Sequence, residues 1–148
     1  MVMSELKLRG YWNYCGLNLM MLSRVWEKHI NDCLTTYDLS LRQLMILRLV
    51  ASTPDISPGE LSRYIGEGPT GVGKHLGKLQ KKGLIERPQV QSGRRVKEAQ
   101  LTDEGKELLT LTDEVLHRQE ENFLGHLPRA TRQGVNLTIE NILDRKIK

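Results

Sequence analysis

A mainly helical chain interrupted by one small β-hairpin is what this sequence predicts, and three observations carry the prediction. Apolar residues recur at helical spacing through most of the chain, as at Leu19, Leu22, Trp26, Ile30 and Cys33. Helix-start signals are frequent: Ser40-Leu-Arg-Gln43 and Ser57-Pro58-Gly59-Glu60 both have the form of a capping box, which satisfies the first amides of a helix. Only after Gly83 does the period change, in two runs at 84–90 and 96–101 that are short enough for strands. They flank the loop Gln91-Ser92-Gly93-Arg94-Arg95.

The first helix is expected from about residue 6 to residue 37, where no proline intervenes. Leu17, Met20, Met21 and Val25 widen its apolar face, so part of that face is expected to be buried against a second chain. The box at Ser40 opens a second helix with Ile46, Leu47 and Val50 inward, and Ser52-Thr53-Pro54-Asp55 ends it. Pro58 takes the first position of a short third helix that runs to about Ile65. Residues 66–68 make a tight turn into a fourth helix, begun by Pro69, carrying Val72, Leu76 and Leu79 inward and closed at Gly83. Beyond the hairpin, Thr102 caps a fifth helix with Asp103 and Glu104 in its first turn, where the helix dipole favours negative charge. Leu108, Leu111, Val115 and Phe123 are expected near one face of it. Pro128 starts the last helix, whose apolar residues are Val135, Ile139, Ile142 and Leu143.

Composition excludes several classes. The chain has 148 residues, 39% hydrophobic and 27% charged, which suits one globular domain and not a disordered segment. Its best apolar stretches, LMML at 19–22 and LMIL at 44–47, are soon broken by Arg24 and Arg48, so no membrane association is expected. No secretion signal is read at the N-terminus, and Cys15 and Cys33 are too few for a zinc site or a disulfide framework. A reducing, cytoplasmic location is expected. On one continuous helix the two cysteines stand about 27 Å apart and cannot pair with each other.

Residues 68–75 read GPTGVGKH, which matches the G-x-x-x-x-G-K-[ST] phosphate loop except at its last position. Such a loop must follow a buried strand, which aims its backbone N–H groups at the phosphates. Here a capped helix precedes it, and His75 replaces the hydroxyl that would bind Mg²⁺. Nucleotide binding is therefore not expected. Glu114-x-x-His117-x-x-x-Glu121 would align ligands on one helical face, but a di-metal bundle needs a second such set, so this reads as a solvated face. With no catalytic spacing pattern either, no catalytic residue, metal site or cofactor is assigned, and an enzyme is not expected.

Charge supplies the positive signal. The net charge is +4, yet between positions 69 and 97 eight basic residues face one acid, Glu86. That segment carries +7, which leaves −3 for the remainder. A basic stretch on a slightly acidic protein points to a polyanion partner. Two helices joined by a tight turn, the second bearing Lys74, Lys78, Lys81 and Lys82, followed at once by a basic hairpin, form a winged helix–turn–helix arrangement. A basic helical interaction protein that binds RNA or an acidic protein is the alternative.

The runs LSLRQLMILRLV, GELSRYIG, VGKHLGKLQKKGLIER and GRRVKEAQLTDEGKELL, with the helical tail behind them, resemble the MarR family of bacterial transcriptional regulators. The resemblance spans about residues 17–143. It implies one MarR-like domain over 1–148, with the winged helix–turn–helix at about 39–103 and dimerisation helices at about 5–37 and 104–146. It further implies a homodimer on a palindromic double-stranded operator, acting as a repressor relieved by a small aromatic or phenolic effector. On that basis Thr70, Lys74, His75, Lys78, Arg94, Arg95 and Lys97 are the expected DNA-binding residues, with Arg95 reaching the minor groove. Gly93 stands where the family usually has an aspartate. Gly71, Gly73 and Gly77 interrupt the recognition helix, so fewer base contacts and more reliance on phosphates and DNA shape are expected.

For an effector pocket between the dimerisation helices and the winged region, the resemblance nominates Trp12, Tyr14, Arg24 and Trp26, with Arg24 as partner of a carboxylate. One branch of the family senses peroxides through a cysteine in the first helix. Cys15 lies near that place, about one residue out of register, and Leu41 stands where a tyrosine partner would be expected. A redox-sensing regulator is thus a second alternative.

Overall fold

The structure, a computed structural model, describes residues 14–87 and 99–147. It divides into two compact units, one ending at Leu41 and the other beginning at Arg42.

The first unit is built on α1 (Cys15–Leu34), which passes into a 3₁₀ turn at Thr35–Tyr37. The helix was expected to reach residue 37, and it stops three residues sooner for a local reason. Two β-branched threonines, poor helix formers, follow Leu34, and the Thr35 hydroxyl donates to the Asn31 carbonyl at 3.1 Å. Asp38 then takes a left-handed φ of 50° and donates its N–H to the Thr35 carbonyl. The Asn31 side-chain oxygen accepts the Leu41 N–H at 2.7 Å, which fixes the reversal. Residues 6–13 of the expected helix lie outside the described residues. On α1, Ile30 and Leu34 are buried, whereas Leu17, Leu19, Met20, Leu22 and Val25 are exposed.

α2 (Leu41–Ser52) leads into the second unit and buries Leu44, Ile46, Leu47 and Val50. α3 (Pro58–Ile65) begins with the expected capping box: the Ser57 hydroxyl accepts the Glu60 N–H at 3.3 Å, and the Glu60 carboxylate accepts the Ser57 N–H at 2.8 Å. Gly66 ends it with φ 72°, a conformation in which a side chain is strained. α4 (Pro69–Lys81) follows after residues 66–68 and buries Val72, Leu76 and Leu79. Burying each such aliphatic side chain contributes roughly 1.5–3 kcal/mol.

β1 (Ile85–Glu86) pairs antiparallel with β2 (Gln100–Leu101), Ile85 opposite Leu101 and Glu86 opposite Gln100. This is the base of the expected hairpin. Residues 88–90 and 96–98 of the two runs, and the loop at 91–95, fall outside the described residues.

α5 (Asp103–Leu124) is tied to that base through its cap. The Thr102 hydroxyl accepts the Gly105 N–H at 3.0 Å and donates to the Gly83 carbonyl at 2.6 Å. The Thr102 N–H donates to the Leu84 carbonyl at 3.2 Å. The Lys106 ammonium, 2.8 Å from Asp103, holds that carboxyl below its ordinary range. One expectation is corrected here. Leu111 is exposed and does not share a shielded face with Leu108, Val115 and Phe123; Thr112 is the fully buried residue of that turn, its hydroxyl donating to the Leu108 and Leu109 carbonyls. A buried threonine is tolerated because its own helix satisfies the hydroxyl. α6 (Arg129–Ile147) leaves Val135, Leu137, Ile139, Ile142 and Leu143 exposed.

A Cβ added at Gly105 would run into the Leu84 carbonyl oxygen, a backbone atom that cannot swing aside. Gly105→Ala must therefore part α5 from the hairpin, and thermal or denaturant unfolding should show a loss on the order of 1–3 kcal/mol.

Candidate nucleic-acid interface

The two faces of α4 are separated by its own geometry. At about 100° per residue, a helix that turns positions 72, 76 and 79 inward must turn positions 70, 74, 77 and 81 outward. Thr70, Lys74 and Lys81 are accordingly exposed and Gly77 half-buried, and Lys78 is exposed on the flank of the same surface. Lys78 and Lys81 also sit in the last turn, where cations complement the helix dipole. The outward face is thus cationic and low in bulk. Cβ atoms built at Gly73 and Gly77 meet nothing within 4 Å.

The GPTGVGKH run forms the N-cap and first two turns of α4, and the element before it is the helix α3. It lacks the strand that a phosphate loop requires.

His75 stands apart from the other expected contact residues. Its side chain is only 19% exposed, and its Nε2 lies 3.2 Å from the Glu67 carboxylate. The other carboxylate oxygen of Glu67 is 3.0 Å from Arg42 Nε, and an Arg42 terminal nitrogen donates to the Ile65 carbonyl at 3.1 Å. His75 Nδ1 is buried without a hydrogen-bond partner among the described residues. The inward turn of His75 was readable from its spacing, three residues after Val72 and four before Leu79. Glu67 and Arg42 carried no such signal, since their meeting joins positions far apart in the chain.

The hairpin begins directly after α4, Gly83 making the turn with φ 69°. Arg94, Arg95 and Lys97, expected on the wing, lie outside the described residues. So does Trp12 of the expected effector site. Tyr14 is the exposed N-cap of α1, and Arg24 and Trp26 lie on α1 itself. Two residues of separation set Arg24 and Trp26 roughly 200° apart around that helix, so one side of α1 cannot present both. Trp26 has His29 as a tilted ring neighbour, with centroids 6.1 Å apart. Cys15 is exposed and Cys33 half-buried on the same helix. Glu114, His117 and Glu121 are all exposed, and Glu121 is paired with Arg132 at 2.8 Å. Among the described residues no three His, Cys, Asp or Glu side chains gather as a metal site, and no helix is long and apolar enough to cross a membrane.

A short helix, a three-residue turn, a second helix with an outward basic face and an immediate antiparallel hairpin define a winged helix–turn–helix protein. The family model of the MarR family matches residues 37–95. The chain is 24% identical over 127 residues to the HTH-type transcriptional repressor Rv2887 of Mycobacterium tuberculosis, covering 86% of this chain and 91% of that one. The crystal structure of Rv2887 with salicylic acid is similar at a TM-score of 0.72, 24% identity and coverage of 86% and 95%; its complex with DNA is similar at 0.70, 23%, 86% and 96%. A MarR/EmrR family regulator from Acinetobacter sp. ADP1 reaches a TM-score of 0.81 at 18% identity, covering 92% of this chain and 96% of that one.

Because Gly77 is helical and a Cβ there would meet no neighbour within 4 Å, Gly77→Ala should stabilise the fold by up to about 1 kcal/mol. A rise in the denaturant midpoint without a change in slope would register it.

Proposed function

We infer that this protein is a sequence-specific double-stranded DNA-binding transcriptional regulator, a cytoplasmic repressor that acts as a homodimer on a palindromic operator. One observation carries the reading: the basic outward face of α4 is followed without a break by a hairpin. B-DNA's major groove admits one helix, and a hairpin beside it can reach the adjoining backbone or minor groove. Thr70, Lys74 and Lys78 are the contacts proposed from α4. Arg94, Arg95 and Lys97 are proposed from the wing. The similarity to a transcriptional repressor with a DNA complex supports the same reading.

The dimer follows from surface that a monomer leaves wet. The exposed apolar residues of α1 and of α6 are too many for scattered surface positions. Joining them from two chains buries both sets, and a two-fold protein reads half-sites about one helical turn apart. For the effector we propose a small aromatic acid, supported by the relative whose structure contains salicylic acid. Arg24 is its proposed carboxylate partner, with Trp12 and Tyr14 as candidate ring contacts and Trp26 serving a separate side of α1.

Gel shifts with the DNA upstream of the protein's own coding sequence test this reading, with single-stranded RNA of equal length as the competing partner. The duplex should be retarded, and RNA binding alone would overturn the assignment. Lys78→Ala should weaken binding to every duplex and reduce the salt slope by about one counterion. Ile142→Glu puts a charge into the exposed stripe of α6. Sedimentation should then find monomers, and specific binding should be lost although α4 and the hairpin are untouched.

A further inference from the structure

Glu67 is the wrong charge in the wrong place for a protein that binds DNA. It sits one residue before the N-cap of α4, at the end of the helix read above as entering the groove, where a carboxylate repels phosphate. Yet three neighbours are arranged around it. Arg42, on the first turn of α2, holds one carboxylate oxygen at 3.0 Å, and His75, on the second turn of α4, holds the other at 3.2 Å. Arg42 also reaches the carbonyl of Ile65, the last residue of α3. Gly71 completes the arrangement by omission, because a Cβ there would lie 2.5 Å from the Glu67 carboxylate.

The bracket replaces something that α4 lacks. Its N-cap is Gly68, which supplies no side-chain hydrogen bond, so no local cap fixes how α4 leaves the turn. One carboxylate instead links the start of α2 and the body of α4, and its arginine partner holds the end of α3. The Glu67, Arg42 and His75 side chains are 28%, 35% and 19% exposed, and partial shielding makes such charge-assisted bonds stronger and more directional than surface pairs.

We propose that Glu67 is a positioning residue for DNA recognition, setting the angle of the recognition helix through Arg42 and His75, with Gly71 left bare to admit its carboxylate. The proposal rests on α4 being the DNA-reading helix. It separates two properties that usually move together. Removing the carboxylate relieves repulsion from every duplex, but it loosens the helix and so penalises only the sequence that needs an exact register.

The test uses a duplex selected by the wild-type protein from a random-sequence library, and a scrambled duplex of the same length. Glu67→Gln should raise the Kd for the selected duplex about tenfold while the scrambled duplex is bound equally or more tightly. Gly71→Ala, which pushes the carboxylate aside while favouring the helix, should also weaken the selected duplex, and should add nothing in a Glu67→Gln background. His75→Gln, which keeps an N–H donor, should retain more affinity than His75→Ala. Equal or tighter binding of both duplexes by Glu67→Gln, equal weakening of both, or an undiminished Gly71→Ala effect in the Glu67→Gln background would each overturn the positioning role and leave the regulator intact. A wild-type protein that selects no duplex would overturn the functional reading, and this proposal with it.

Discussion

The burial of three side chains on one helix governs where the basic face of α4 points. Val72, Leu76 and Leu79 can reach the interior of the second unit only if α4 lies with one particular face inward. Once that is set, helical geometry leaves no choice about Thr70, Lys74 and Lys81, which must look outward. A hydrophobic interaction with no preference for any nucleic acid thereby orients the charges proposed to meet one. Slipping the apolar stripe by a single residue would turn the lysines together by about 100°, away from that outward direction.

The connections on either side of α4 serve the same orientation. Before it, three residues turn the chain, with Gly66 in the left-handed region and Pro69 preset for a first helical position. After it, Gly83 bends the chain into the hairpin, so helix and wing leave a common point. Short links limit the arrangements that two elements can take, and the Glu67 contacts narrow them further. The glycine-rich outer face is compatible with this support: Gly73 and Gly77 are open, while Gly71 is occupied by a neighbour's carboxylate.

What was legible in the sequence is what local chemistry determines. Ser57 and Glu60 form their capping box, Pro58 and Pro69 start their helices, and Thr102 caps α5, because each decision is made within about one turn. The inward stripe of α4 was equally readable from spacing. Where α1 ends was not read, although Thr35 and Thr36 lie in plain sight: the Thr35 hydroxyl turns back to the Asn31 carbonyl, and the Asn31 side chain holds the Leu41 amide beyond the turn. Leu111 misled for a similar reason: its type suits a buried face, but the tertiary arrangement buries Thr112. At the candidate site, the lysines were legible as a charge run. The Arg42–Glu67–His75 contacts were not, since no periodicity connects residues on α2, in a turn and on α4.

The contact between α5 and the hairpin has a mechanical side. Thr102 bonds to Gly83 and Leu84 with its hydroxyl and its amide, and Gly105 lets the Leu84 carbonyl rest against the helix axis with no side chain between. Nothing compressible separates the two, so the first turn of α5 and the root of the wing behave as a welded joint. The first turn of α5 therefore cannot shift without moving Gly83 and Leu84, where the hairpin begins.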